Sequence, residues 1–118
     1  MTDIIQRITE SIFKQEGHDS EFTNPGSLRA APWLTHPIIE NGFWKPMTRM
    51  QGVAGAAHVV ALRIAMGQSL RQLISAYAPP GDHNNTEAYI KNVSTWASIP
   101  NVDVPLWTYI ENPPPIPT

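Results

Sequence analysis

Cysteine is absent from this chain of 118 residues. Its absence excludes disulfides, zinc–thiolate sites and cysteine nucleophiles, but it leaves the compartment open, because such a chain folds equally well in oxidising and reducing surroundings. Long apolar runs are also missing, since no stretch approaches the ~20 residues of a membrane-spanning helix. The N-terminal stretch is amphipathic and carries Asp3 and Glu10, so it does not resemble a signal peptide. We therefore expect no membrane insertion.

Positive charge is also scarce. Eight Lys and Arg residues stand against ten acids, for a formal net charge of -2, whereas a nucleic-acid-binding domain normally has a basic face. The histidines at 18, 36, 58 and 83 lack the spacing of metal ligands, and there is no phosphate loop or dinucleotide fingerprint. We predict no cofactor, no metal and no nucleic-acid partner. A hydrophobic content of 42% predicts one globular domain over residues 1–111, followed by a flexible proline-rich tail over 112–118.

Apolar residues at helical spacing predict a mainly α fold. Helices are expected over residues 3–16, 50–66, 70–77 and 85–97. The glycines of the second helix predict a close approach to another backbone, and we expect this helix to be the central buried one. Asn84 and Glu87 have the spacing of a capping box at the start of the fourth helix. The prolines after Ile99 predict an extended tail.

A long segment over residues 17–48 separates the first two helices and is dense in glycine and proline. Asn24-Pro25-Gly26 predicts a turn in which proline restricts φ and glycine accepts a positive φ. A loop of this length is usually functional or contains short strands, so an irregular loop and a short hairpin both remain open. Its aromatic residues either pack on the body or, at Trp33 and Trp44, stack on sugar rings.

One carboxylate lies at the end of the first helix on its apolar side. Ile5, Ile8 and Ile12 form the apolar stripe, and Glu16 follows one turn later, just before Gly17. Partial burial and the negative end of the helix dipole both disfavour a charged carboxylate. We therefore consider Glu16 a candidate general acid. The alternative is a solvated residue beside a glycine C-cap.

The order of the motifs resembles lysozyme-like peptidoglycan hydrolases of phages and bacteria, in the superfamily of goose-type lysozymes and soluble lytic transglycosylases. The matching segments span residues 4 to about 98, and they are Glu16-Gly17, Thr23-Asn24-Pro25-Gly26-Ser27-Leu28-Arg29, Tyr77-Ala78-Pro79-Pro80 and Asn84-Asn85-Thr86-Glu87-Ala88-Tyr89-Ile90. This chain departs from the family pattern at Thr23, Ser27 and Asn85, where asparagine or, at the last position, an acid is usual. The segment from Pro32 to Pro46 has no counterpart.

The resemblance implies a small lysozyme-like helical domain with a cleft for a glycan strand. It places the catalytic acid at Glu16 and substrate-binding positions at Asn24, Gly26, Tyr77, Asn85 and Tyr89. Each binding position has a structural alternative. The tyrosines can fill the core, Asn24 can shape its turn, and Asn85 can help to cap a helix.

The implied reaction cleaves the β-1,4 bond that follows N-acetylmuramic acid, and the departing oxygen needs a proton. Hydrolysis usually uses a second carboxylate, for which Asp19 and Glu21 are the nearby candidates. A lytic transglycosylase instead uses one glutamate as acid and then as base, while the C6 hydroxyl of the substrate attacks to form a 1,6-anhydro product. Because the case for a second carboxylate is weak, the transglycosylase is favoured over the hydrolytic muramidase.

A different class of function is also open. The chain can be a non-catalytic module of a virion or cell envelope that kept the lysozyme-like fold and binds the glycan strand or neighbouring envelope proteins. A third possibility is an adaptor or inhibitor that docks through the proline-rich tail. The enzyme would act in the periplasm or at the cell wall, as part of a virion or after export by a route not visible in the sequence.

Overall fold

The computed structural model describes residues 3–17, 22–79, 81 and 85–111. This part of the chain contains five helices and one two-stranded antiparallel sheet, so the predicted mainly helical fold is confirmed. None of these helices has the length and apolar character needed to cross a membrane. The helices are α1 (Ile4–Glu16), α2 (Arg49–Ala65), α3 (Leu70–Tyr77), α4 (Thr86–Ala97) and α5 (Thr108–Glu111), and the strands are β1 (Ile39–Glu40) and β2 (Phe43–Trp44).

The ends of α1 follow from local chemistry. The Asp3 carboxylate accepts a hydrogen bond from the backbone N–H of Gln6 at 2.8 Å, and this caps the first turn. At the other end Gly17 has a φ of 71° and donates its N–H to the carbonyl oxygen of Phe13. Ile4, Ile8 and Ile12 are buried along one stripe. Glu16 is therefore the last helical residue, as predicted.

Two predictions about the C-terminal half are wrong. The N-cap of α4 is Asn85, whose side chain accepts from the backbone N–H of Ala88 at 3.1 Å, whereas Asn84 lies outside the described residues. Residues after Ile99 are not simply extended, because Thr108–Glu111 form the short helix α5. Leu106, just before α5, is fully buried, and the turn that forms around this anchor allows the chain to coil.

Helix α2 is not the central buried helix. In this helix the side chains of Met50 and Leu62 are 82% and 48% exposed, and Met66, the residue after its end, is 64% exposed. The buried face of α2 consists mainly of small residues. The predicted close backbone approach is confirmed at Gly52, because a Cβ atom there would overlap the carbonyl oxygen of Thr23. At Gly55 it would lie 2.6 Å from the Trp44 ring. The loop before α2 thus packs directly on the backbone of this helix.

The long segment contains a short hairpin. Ile39 pairs with Trp44, and Glu40 pairs with Phe43. The two connecting residues, Asn41 and Gly42, have φ angles of 54° and 81°, and a type I′ turn requires positive values at both positions. The hairpin bends the chain back so that Trp44 is buried against α2 while Phe43 remains on the surface.

Two apolar clusters form the interior of the part of the chain that the structure describes. The larger one gathers residues of α1, α2, α3, α4 and the segment after α4, and the smaller one joins Leu28, Ala31, Trp44 and Ala56. Tyr77, at the end of α3, packs against both clusters. The position of Tyr77 matters for the site, because the end of α1, the turn at Gly26 and the end of α3 meet around this ring.

Candidate active site

Glu16 is half-buried at the C-terminal end of α1 and is held from α4. The hydroxyl of Tyr89 donates a hydrogen bond to Oε2 of Glu16 at 2.9 Å, and the Tyr89 side chain is buried, with 3% of its surface exposed. The preceding residues make parallel links to the same helix. Asn92 donates to the Gln15 side chain at 2.9 Å, and the ammonium group of Lys14 lies 4.5 Å from the centre of the Trp96 ring. Three consecutive side chains therefore position the end of α1.

A second tyrosine borders Glu16. The Tyr77 hydroxyl donates a short hydrogen bond to the carbonyl oxygen of Gly26. Burial, and then the negative charge of Glu16, raise the pKa of Tyr77 well above its ordinary value. The same causes raise the pKa of Tyr89, with a further contribution from its hydrogen bond to Glu16. Both phenols consequently remain protonated donors throughout the physiological pH range.

The turn at Asn24 closes one side of the site. The Asn24 side chain is buried, donates to the carbonyl oxygens of Leu28 and Trp44 at 2.9 and 2.8 Å, and accepts from the Leu28 N–H at 3.0 Å. The predicted turn is confirmed by a bond from the Ser27 N–H to the Asn24 carbonyl oxygen. The expected positive φ at Gly26 is wrong, however, because Ser27 adopts it, at 54°.

Glycine is required at position 26 because a side chain would not fit there, and not because the backbone has a positive φ. A Cβ atom at Gly26 would overlap the Tyr77 hydroxyl and lie 3.1 Å from the Ala56 Cβ. The absence of a side chain lets the backbone of the turn approach Tyr77 closely enough for their hydrogen bond. Gly26 therefore brings the Asn24 turn up to the Glu16 carboxylate.

A hollow of about 160 Å³ opens beside Glu16. We call it the Glu16 hollow. The guanidinium group of Arg29 lies on its rim and stacks on the Phe43 ring, 4.6 Å from the ring centre. A carboxylate, a guanidinium group and a phenol thus face one small space. It is lined by Glu16, Gly26, Ser27, Arg29, Phe43, Tyr77 and Ala78.

Two further hollows share lining residues with it. The hairpin hollow, of about 280 Å³, shares Ser27 and Phe43 with the Glu16 hollow, and the arginine hollow, of about 420 Å³, shares Ser27, Arg29 and Tyr77 with it. The Glu16 hollow therefore adjoins both of the others, and we call the three hollows together the groove. The hairpin hollow is lined by Phe22, Thr23, Asn24, Ser27, Glu40, Asn41, Phe43, Trp44 and Lys45, and the arginine hollow by Ser27, Leu28, Arg29, Ala30, Val59, Arg63, Leu73, Ala76, Tyr77 and Pro79.

The structure brings most of the predicted site residues together. Glu16, Gly26 and Tyr77 line one hollow, Tyr89 reaches it through its bond to Glu16, and Asn24 lies in the wall of the hairpin hollow. Asn85 is exposed, caps α4 and lines none of these three hollows. The candidate second carboxylates, Asp19 and Glu21, lie outside the described residues.

Arg29 and Phe43 are among the groove residues that were not identified from the sequence as site residues. Arg29 ends the motif around Asn24-Pro25-Gly26 on which the resemblance depends, but the sequence does not indicate that its side chain lies beside Glu16. Phe43 follows Asn41-Gly42, and an Asn-Gly pair between apolar residues is a strong hairpin signal that predicts where the chain reverses. That signal locates the hairpin but not the surface on which it packs.

A larger hollow of about 520 Å³ lies elsewhere, between the loop at Trp33 and helix α2. Trp33 and Trp44 meet edge to face in its wall, with ring centres 5.7 Å apart, so Trp44 packs the loop as the simpler alternative predicts. The Gln51 side chain accepts from the Met47 N–H at 3.0 Å. Glu16 does not line this hollow, which shares only Trp44 and Lys45 with the hairpin hollow and no residue with the Glu16 hollow.

No family model, no curated protein and no solved structure matches this chain. The lysozyme-like relationship therefore remains an inference from the motifs and the site. Among the described residues, no group of three or more His, Asp or Glu side chains is arranged to hold a metal ion.

Proposed function

We propose that this chain is a peptidoglycan-cleaving glycosidase with a lysozyme-like helical fold, acting on the β-1,4 bond that follows N-acetylmuramic acid. Glu16 is the general acid. The proposal is carried by one observation: the half-buried carboxylate of Glu16, which accepts a hydrogen bond from Tyr89, lines a hollow that shares lining residues with two neighbouring hollows. A linear polymer lying across the groove would place an internal bond, and not an end group, beside Glu16.

The surroundings of Glu16 suit proton transfer. Tyr89 occupies Oε2 and so orients the carboxyl group, which leaves Oε1 to carry the transferred proton. Tyr77 holds the turn that forms the opposite wall. Because Tyr89 keeps its proton, it orients Glu16 without competing for the proton that Glu16 transfers, and Tyr77 likewise keeps its hydrogen bond to Gly26.

The transglycosylase route is favoured over hydrolysis. Glu16 is the only carboxylate among the described residues of its hollow, and Glu40 in the adjoining hairpin hollow forms an ion pair with Lys45 at 2.9 Å. Two-carboxylate hydrolysis needs a second acid at ~5–9.5 Å. In the transglycosylase route Glu16 protonates the departing O4 and then accepts the proton of the C6 hydroxyl, whose oxygen bonds to C1. No water is consumed.

Clearing of purified peptidoglycan tests the catalytic assignment. The wild-type chain should reduce the turbidity of a cell-wall suspension, and Glu16→Gln should remove this activity while keeping the fold, because an amide cannot donate the required proton. Glu10→Gln is the matched control, since Glu10 is an exposed residue of the same helix. Equal clearing by wild type and Glu16→Gln would refute the role of Glu16.

The products distinguish the two reactions. Mass spectrometry of the released fragments should show 1,6-anhydro ends, which are lighter than hydrolysed ends by one water. A gain of water in every product would exclude the anhydro route and indicate a muramidase. Glycan-strand binding without any cleavage by the wild type would instead favour the non-catalytic virion or envelope module. In either case the site of action is the periplasm or the cell wall.

A further inference from the structure

The two hollows that flank Glu16 differ in chemistry. The hairpin hollow is lined by Phe22 and Phe43, which are 43% and 37% exposed, and by Asn41 and Glu40, which contribute hydrogen-bond acceptors. Its described lining also includes Lys45, whose charge is paired with that of Glu40 at 2.9 Å. Aromatic faces combined with polar side chains suit a sugar, which has apolar C–H faces and hydroxyl groups. The hairpin hollow is therefore the side of the groove on which a bare sugar ring fits.

The arginine hollow presents cations and apolar carbon instead. Its described lining includes two guanidinium groups, Arg29 and Arg63, above a largely aliphatic wall, and it includes no carboxylate and no side-chain amide. Within the described residues, the Arg63 side chain has no hydrogen-bond or ion-pair partner. Guanidinium groups bind carboxylates with paired hydrogen bonds. The arginine hollow thus suits an anionic group with an apolar body better than it suits a polyhydroxyl ring.

In peptidoglycan, an anionic group with an apolar body is attached close to the bond that the proposed reaction cleaves. The sugar that loses its C1 bond beside Glu16 also carries, on O3 of the same ring, a lactyl group and an acidic peptide. The arginine hollow shares Ser27, Arg29 and Tyr77 with the Glu16 hollow, so a substituent of that ring can enter it directly. We propose that the arginine hollow binds the carboxylate-bearing peptide of the substrate, with Arg63 as a specificity-determining residue. The inference deepens the proposed function and rests on it.

Soluble peptidoglycan fragments provide the first test. They are compared with the same fragments after their carboxylates have been converted to amides, which removes the negative charge and changes little else. Amidation should raise KM of the wild type about tenfold, equivalent to ~1.4 kcal/mol, with little change in kcat. Arg63→Met should show the raised KM on the untreated fragments and no further response to amidation, whereas Arg63→Lys should recover part of the difference.

A control and a second measurement separate this inference from the proposed function. Lys91→Met removes a positive charge from an exposed residue that lines none of the three hollows, so its KM should equal that of the wild type. Binding of the dipeptide L-alanyl-D-glutamate to the Glu16→Gln variant, followed by NMR titration, needs no turnover. Arg63→Met in that background should weaken this binding about tenfold.

The outcomes are distinct. If the fragments are cleaved but neither amidation nor Arg63→Met changes KM, the arginine hollow does not bind the peptide carboxylate. That result overturns the inference and leaves the enzyme assignment in place. If nothing is cleaved yet the dipeptide binds in an Arg63-dependent way, the enzyme assignment fails and an anion site remains. Absence of both cleavage and Arg63-dependent binding removes both proposals.

Discussion

Removing the Tyr89 hydroxyl is the most direct test of how Glu16 is held. Tyr89→Phe keeps the ring that packs in the core and deletes one atom, the donor of the 2.9 Å hydrogen bond to Oε2 of Glu16. The carboxyl group then loses its anchor to α4. The variant should therefore fold as the wild type does, but with a less stable and less well oriented site.

The expected size of the effect follows from burial. A hydrogen bond to a charged group contributes about 1.5–3 kcal/mol. Tyr89 is buried but Glu16 is only half-buried, so water can partly replace the lost donor, and we expect the lower end, ~1.5 kcal/mol, in the free energy of unfolding at pH 7. Misorientation of the acid should lower kcat about 10- to 100-fold.

Urea unfolding and the clearing assay measure both quantities. Tyr109→Phe is the matched control, because the Tyr109 hydroxyl also has a hydrogen-bond partner, the Asn101 N–H at 3.0 Å, but lies on α5 and lines none of the groove hollows. Its clearing rate should remain that of the wild type. A double-mutant cycle with Glu16→Ala isolates the pair. A coupling energy near zero together with an unchanged clearing rate for Tyr89→Phe would refute the reasoning.

Three further predictions concern stability. Gly52→Ala should lower the free energy of unfolding by about 1–3 kcal/mol, because the added Cβ atom would overlap the Thr23 carbonyl oxygen. This overlap outweighs the better helix propensity of alanine, and a higher urea midpoint for the variant would contradict the prediction. Because the pKa values of Tyr77 and Tyr89 are raised, their contribution to the free energy of unfolding should be constant below the ordinary tyrosine pKa of 10.0 and fall above it by about 1.4 kcal/mol per pH unit for each tyrosine. Equal unfolding midpoints at pH 8 and pH 11 would exclude that contribution. Ser98→Gly should raise the free energy of unfolding by about 1 kcal/mol, because Ser98 ends α4 in the left-handed conformation, with a φ of 57°, which glycine adopts without a steric cost. Thermal melting should therefore show a higher midpoint for the variant.

Several features of the chain could be read without coordinates because their causes are local. Helix α1 needs only its apolar period, the Asp3 cap and Gly17, all within fifteen residues. The hairpin turn needs only Asn41-Gly42, a local signal, whereas the length of the surrounding segment is compatible with either an irregular loop or a hairpin. The short helix α5 was missed because the surrounding prolines suggest an extended chain, whereas burial of Leu106 anchors a turn that propensity alone does not predict.

The sequence by itself determined, to within one residue, where helices α1 to α4 begin and end and which carboxylate closes the first of them, because capping, periodicity and glycine chemistry act over a few residues. Only the tertiary structure decided what surrounds that carboxylate. The Tyr89 hydroxyl comes from 73 residues away and the bond from Tyr77 to Gly26 joins residues 51 apart, and both depend on how helices pack. Packing direction is a property of the whole core, so no local pattern specifies that Arg29 and Arg63 should face the same groove as Glu16.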